Sequence, residues 1–204
     1  MGLISNGTTL LDAGALDGGI TTGDMVLIKK ITASDSGTID FKDGTNSVVM
    51  DDTYKEYIFH WSDIHPATDG AKLGFQFNVA GGADFNETLI GSYWRSYHDE
   101  GDSGTGVGYV TSEESDGTGY TILDGGVGND NDQCTSGKVH VWDPSNTSHV
   151  THYTVETTHY DVNNFNANVF VNGYVTATAA VDEISFKFSS GNIGSGTIRM
   201  YGVK

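Results

Sequence analysis

Toward the carboxyl terminus, Ile184, Phe186 and Phe188 alternate with Ser185, Lys187 and Ser189, and after a glycine-rich turn Ile198 and Met200 alternate with Thr197, Arg199 and Tyr201. A period of two puts apolar side chains on one face of an extended chain and polar ones on the other, so this stretch predicts two strands around a hairpin. The same alternation recurs upstream. Residues 72–79 set Leu73, Phe75, Phe77 and Val79 against Lys72, Gly74, Gln76 and Asn78, and residues 56–64 carry Tyr57, Phe59 and Trp61 on one face. Further strands are predicted over 25–33, which is apolar enough to be buried, and over 38–41, 47–50, 89–97, 138–142, 149–157 and 168–176.

No helical periodicity extends beyond two turns. Glycine is 28 of 204 residues and proline only 2, so turns are built from Gly, Asn, Asp and Ser. These features predict an all-β fold, an antiparallel two-sheet β-sandwich of jelly-roll type, with strand order left open by the periodicity. One sandwich domain is expected over residues 25–204, preceded by an arm over 1–24 with at most a short helical turn around 9–15. Leu3, Ile4, Leu10, Leu11 and Leu16 of that arm have no long regular element to bury them locally, so they are expected to mediate attachment or exchange between neighbouring copies, with covering one end of the sandwich as the alternative. Residues 98–137, ten of them glycine, are expected to form a Gly/Asp-rich insertion.

The formal net charge is −17, and between Arg95 and Lys187 the only Lys or Arg is Lys138. A chain this acidic does not neutralise phosphates, which argues against nucleic acid as a partner. Nine carboxylates lie between residues 97 and 134 and are expected to face solvent. Asp124, Asp130 and Asp132 form the candidate metal set, with calcium as the ion, because the loop concentrates carboxylate and amide oxygens; an Asx-rich turn bonding its own backbone is the ion-free alternative. Cys134, alone, makes no intrachain disulfide. No apolar run approaches the roughly 18 residues of a membrane span, and the opening residues lack the basic segment of a signal peptide.

Gly101-Asp-Ser103-Gly104 is similar to the nucleophile segment of chymotrypsin-like serine proteases, with His60 or His65 upstream as a base. Thr105 replaces the second glycine of that segment, however, and half the chain still follows, so a plain turn is expected. His149 and His152 lie on opposite faces of any regular strand and do not converge. HExxH, CxxC and Walker-type spacings are absent from the sequence, and no catalytic or cofactor-binding residue is assigned. For sugar stacking the candidates are Trp142, Trp94 and Tyr97. Trp142 falls opposite Val139 and Val141 in the alternation and is the one expected to be exposed.

Four segments resemble small virion structural proteins of tailed marine bacteriophages of the cyanophage type. They are residues 1–16, Tyr97-His-Asp-Glu100, Val127-Gly-Asn-Asp130 with Ser136-Gly-Lys-Val-His-Val-Trp-Asp-Pro-Ser145, and 184–202 with its Gly196-Thr-Ile-Arg-Met-Tyr-Gly202 ending. The resemblance implies a non-enzymatic virion component, present in many copies as a capsid decoration protein or tail appendage. It would be made in the host cytoplasm and partnered by copies of itself and by other virion proteins. The alternative expectation is a module that binds host-surface carbohydrate.

Overall fold

The computed structural model describes residues 24–204 and, before them, the backbone of three short strands: β1 (Leu3–Ser5), β2 (Thr8–Asp12) and β3 (Ala15–Leu16). These pair antiparallel in a sheet of their own, with Leu11 opposite Leu3 on one side and Leu16 on the other. Strand β2, opened by two β-branched threonines that favour extended backbone, stands where a helical turn was expected. The side chains of Leu3, Ile4, Leu10, Leu11 and Leu16 lie outside the described residues.

From residue 25 the chain switches between a large and a small sheet. β4 (Met25–Thr32) is in the large one, β5 (Ile39–Lys42) in the small, β6 (Glu56–Pro66) in the large and β7 (Leu73–Val79) in the small. An excursion follows: β8 (Leu89–Asp99), β9 (Thr105–Tyr109), a 3-10 turn at Thr111–Glu113, and β10 (Ser115–Gly117). β11 (Thr121–Ile122) rejoins the small sheet, and β12 (Thr135–Trp142), β13 (His152–Tyr160) and β14 (Phe165–Val175) extend the large one. β15 (Val181–Phe188) and β16 (Ile193–Val203) then return to the small and large sheets respectively.

Pairing runs from the outside inward: β4 with β16, β5 with β15, β6 with β12 and β7 with β11, all antiparallel. This nesting is the strand succession of a jelly roll, two Greek keys wound together. The complete large sheet has the order β10-β8-β14-β13-β12-β6-β16-β4, with β9 also paired to β8; the small sheet is β11-β7-β15-β5. The excursions β8–β10 and β13–β14 therefore widen only the large sheet, leaving it more than twice as broad as its partner.

The predicted inner faces meet between the sheets. Phe41, Phe75, Phe77 and Phe186 of the small sheet interlock with Phe59, Trp61 and Tyr153 of the large one, at ring-centroid separations of 5.1 to 6.4 Å. Val139, Val141, Val155, Val169 and Val171 continue this core along the widened sheet, all buried. Burial of such side chains is the main stabilising term, about 1.5–3 kcal/mol for each.

Several expectations are corrected. β4 is an edge strand and not a buried one, with Met25 45% and Leu27 52% exposed. Residues 47–50 form no strand, because Asn46 and Ser47 both take positive φ (51° and 66°) and curl the chain while Val48 and Met50 still reach the core. The strand predicted from residue 149 begins at His152; Asn146 Oδ1 accepts the N–H groups of Ser148 (2.7 Å) and His149 (3.0 Å) and holds that stretch in a turn. The second face of β7 is buried too, since the Gln76 amide donates to the carbonyls of Glu87, Thr118 and Gly119 in the segment that straps it. The 98–137 insertion is built of strands on β8 and contains β11, a member of the jelly roll itself.

Candidate functional site

No described element covers the outer face of the large sheet, and the register fixes what this face presents. One row of directly opposed residues crosses eight strands. It runs Lys30, Arg199, His60 and Lys138 on β4, β16, β6 and β12, and continues through Glu156, Phe170, Trp94 and Tyr109 on β13, β14, β8 and β9. Half of the row is basic and the far end is aromatic. Because side chains alternate across each strand, all eight stand on the side opposite the core.

At the aromatic end Trp94, 39% exposed, stacks on Phe170 with centroids 4.6 Å apart and planes 12° apart, and Tyr109 beside it is 56% exposed. Trp142 shares this face, half-buried and stacked on His140 at 4.3 Å, while His140 Nε2 lies 3.0 Å from Glu56 Oε2. Trp94 and Trp142 are thus brought to one surface. Tyr97 is not: three residues beyond Trp94, it stands on the other side of β8, edge-on to Phe165 and under the Arg95 guanidinium. Odd spacing along a strand separates them.

Between the basic and aromatic ends lies a depression of about 400 Å³, walled by His60, Ser62, Ser136, Lys138, Glu156, Thr158 and Asn168. Its floor is strand backbone at Gly137, where a Cβ would point inward and collide with the buried Trp61 ring at 2.6 Å and with Thr157 Cα at 2.9 Å. Hydroxyls, an amide and charged groups thus surround a floor without a projecting side chain. His60 titrates below its ordinary value, through burial first and then through the positive charges of Lys138 and Arg199. Lys138 and Arg199 thus flank His60 on either side in the row, with Lys138 also 3.1 Å from the Glu156 carboxylate.

The candidate metal ligands do not converge. Asp124 is fully buried beneath the sheet, where its carboxylate accepts from the N–H groups of Leu73 (3.1 Å) and Gly126 (3.3 Å), whereas Asp130 and Asp132 are exposed. Among the described residues no group of three or more His, Cys, Asp or Glu side chains is disposed to hold a metal ion. Burial raises the Asp124 carboxyl well above the usual range. The expectation that all nine acids of this segment face solvent therefore fails at Asp124, a residue that fixes the backbone between the sheets.

Beside it, buried His159 accepts the Gly125 N–H at Nε2 (3.1 Å), which places the ring proton on Nδ1; burial drives its pKa down to about 4. Arg95, Tyr97, Asp161, Asn163 and Phe165 line a cavity of about 270 Å³ nearby, but Asp161 is engaged by the backbone and amide of Asn163 at 2.8 and 2.9 Å. The Gly101–Gly104 segment is the turn of the β8–β9 hairpin. Asp99 accepts the N–H groups of Ser103 and Gly104 and the Ser103 hydroxyl, and the nearby His98 bonds Asp102.

Sequence reasoning found Trp94 and Trp142 but missed Phe170, Tyr109 and the Lys30–Arg199–His60–Lys138 series. The alternation signal assigns each of these to a face within its own strand; which strands lie side by side is written only in the nested pairing. Among the described residues no helix is long and apolar enough to cross a membrane. Comparison of the chain with protein-family models, with curated proteins and with solved structures finds no match, so the reading of this face rests on its own residues.

Proposed function

We propose that this chain is a non-enzymatic virion structural protein, a capsid decoration protein or tail appendage, assembled with copies of itself and other virion proteins. The observation that carries the reading is the separation of labour in the pairing. The jelly roll closes on itself through β4–β16, while β1–β3 form a sheet that shares no strand with either layer, which suits an amino-terminal element to attachment. The similarity of residues 1–16, 97–100, 127–145 and 184–202 to phage virion proteins supports the same assignment. Mass spectrometry of purified virions tests it: hundreds of copies per particle indicate decoration, a few trimers or hexamers indicate a tail part, and absence from the particle sinks the proposal.

A second reading is favoured by the Trp94–Phe170 stack and Tyr109 on the face that also carries the polar depression. Sugar rings present an apolar face to an aromatic ring and hydroxyls to polar neighbours, and this face supplies both partners. Under this reading the protein contacts host-surface carbohydrate as part of the particle. Glycan-array binding by the wild type that disappears in Trp94→Ala or Trp142→Ala supports it; an empty array, or retention of binding in both variants, removes it.

A further inference from the structure

The basic end of the outer row stands out against the composition. Acids outnumber Lys and Arg by 27 to 10, and Lys42, Lys55, Lys72 and Lys138 each have a carboxylate within 3.4 Å. Among the described residues Lys30 and Arg199, like Lys29, Arg95, Lys187 and Lys204, have none within ion-pair distance. Of these, Lys30 and Arg199 are directly opposed on neighbouring strands, and the nearest polar partner of Arg199 is the Ser62 hydroxyl at 3.4 Å. An acidic chain that sets two such cations side by side on an uncovered face leaves them free to meet an anion from outside, and a guanidinium presents the fork that a carboxylate or sulfate accepts.

We propose that the outer face of the large sheet binds an acidic polysaccharide laid across the strands, its carboxylates or sulfates held by Arg199 and Lys30 and one ring stacked on Trp94. The inference rests on the glycan-binding reading above and names the substrate class of that site. Its length follows from the register. Lys30 and Trp94 lie six strand intervals apart in the row, about 29 Å at the usual strand spacing, so a single sugar cannot reach both. A chain of several pyranose units does, and on its way it passes the depression floored by Gly137, where Ser62, Ser136, Thr158 and Asn168 offer hydrogen bonds to neutral hydroxyls.

Isothermal titration of the full chain with hexagalacturonate, a sulfated galactan hexasaccharide, cellohexaose and an oligodeoxythymidine separates the outcomes. The proposal expects one of the acidic sugars to bind about tenfold or more tighter than cellohexaose. Lys30→Gln/Arg199→Gln should erase that preference while the variant melts as the wild type does, and Trp94→Ala should weaken every sugar. Raising salt on the wild type gives a readout independent of any variant, because a charge-held ligand weakens and a neutral one does not. Equal binding of cellohexaose and the acidic sugars, unaffected by the double substitution, overturns the acidic class and leaves the glycan reading intact. Binding of no sugar overturns both. Binding of oligodeoxythymidine as tight as that of the acidic sugars also overturns it, as the face would then be a general polyanion surface.

Discussion

Trp94 and Phe170 are directly opposed across β8 and β14, and their rings stack nearly parallel on the outer face, 4.6 Å between centroids. Phe170 thus holds in place an indole that is 39% exposed on the outer face. A pair of this kind contributes about 0.5–1.5 kcal/mol beyond area burial. Trp94→Ala is expected to lower stability by about 1 kcal/mol and to weaken the binding of every glycan. Phe170→Ala should cost a similar amount, with the indole left in place but less ordered, so binding weakens without vanishing. Denaturant melts and titrations of both variants check this; full glycan affinity in Trp94→Ala would contradict the assignment.

His159 makes stability depend on acid. Its folded pKa, about 4, lies below the ordinary 6.5, so the unfolded chain binds the proton more readily. The contribution of neutral His159 is therefore complete above about pH 6.5 and is lost as pH falls toward 4, a difference on the order of 3 kcal/mol. Protonation would also remove the acceptor that Nε2 offers to the Gly125 N–H. His159→Gln keeps an acceptor but does not titrate. The gap in Tm between wild type and this variant should shift in favour of the variant between pH 6.5 and 4, and a constant gap would refute the role.

Asp124 carries the opposite sign. Its folded pKa is raised by burial, so the favourable, protonated state is fully present below the ordinary carboxyl pKa and is lost as pH rises through the elevated value. Asp124→Asn keeps an oxygen for the N–H groups of Leu73 and Gly126 and removes the buried charge; its Tm relative to wild type should climb with pH. Asp124→Ala leaves both N–H groups without that acceptor and should cost about 1–3 kcal/mol. Calcium should leave the wild-type Tm unchanged, whereas an ion at one hundred times its dissociation constant would add about 2.7 kcal/mol.

Gly137 is required by contact and not by backbone conformation. A methyl there meets the Glu156 carbonyl, the Trp61 ring and Thr157 Cα, two of them rigid backbone atoms. Gly137→Ala is expected to cost about 1–3 kcal/mol of overpacking and to push β12 and β13 apart at the floor of the depression, with the loss read in chemical denaturation and in weakened sugar binding.

Deleting residues 2–20 should leave the sandwich folded by circular dichroism, since the jelly roll closes through β4–β16 without them, while incorporation into virions or oligomerisation is lost. Normal assembly of the truncated chain would rule out an attachment role for β1–β3.

Much of the architecture was legible in local pattern. The alternation in 56–64, 184–188 and 197–201 assigned Tyr57, Phe59, Trp61, Ile184, Phe186, Phe188, Ile198 and Met200 to the core, where all are found. It failed at β4, whose apolar residues read as buried although the strand is an edge, and at residues 47–50, where two consecutive left-handed residues override strand propensity. Asp124 was misplaced for a similar reason: an acidic, glycine-rich context looks solvated until the backbone N–H groups of Leu73 and Gly126 are seen to need its oxygens.

The sequence by itself determined which side of each strand faces inward, because the period of two is local and depends only on side-chain chemistry along one segment. Tertiary structure alone decided that Lys30 lies beside Arg199, that Arg199 lies beside His60, and that Trp94 rests on Phe170. Those neighbours come from strands far apart in the chain, and their alignment is set by the outside-inward pairing of the jelly roll and by bulges that shift register between Met200 and Tyr201 and between Ser195 and Thr197. One residue of slip would turn a strand's outer residues inward, so the face exists only once every strand has found its partner.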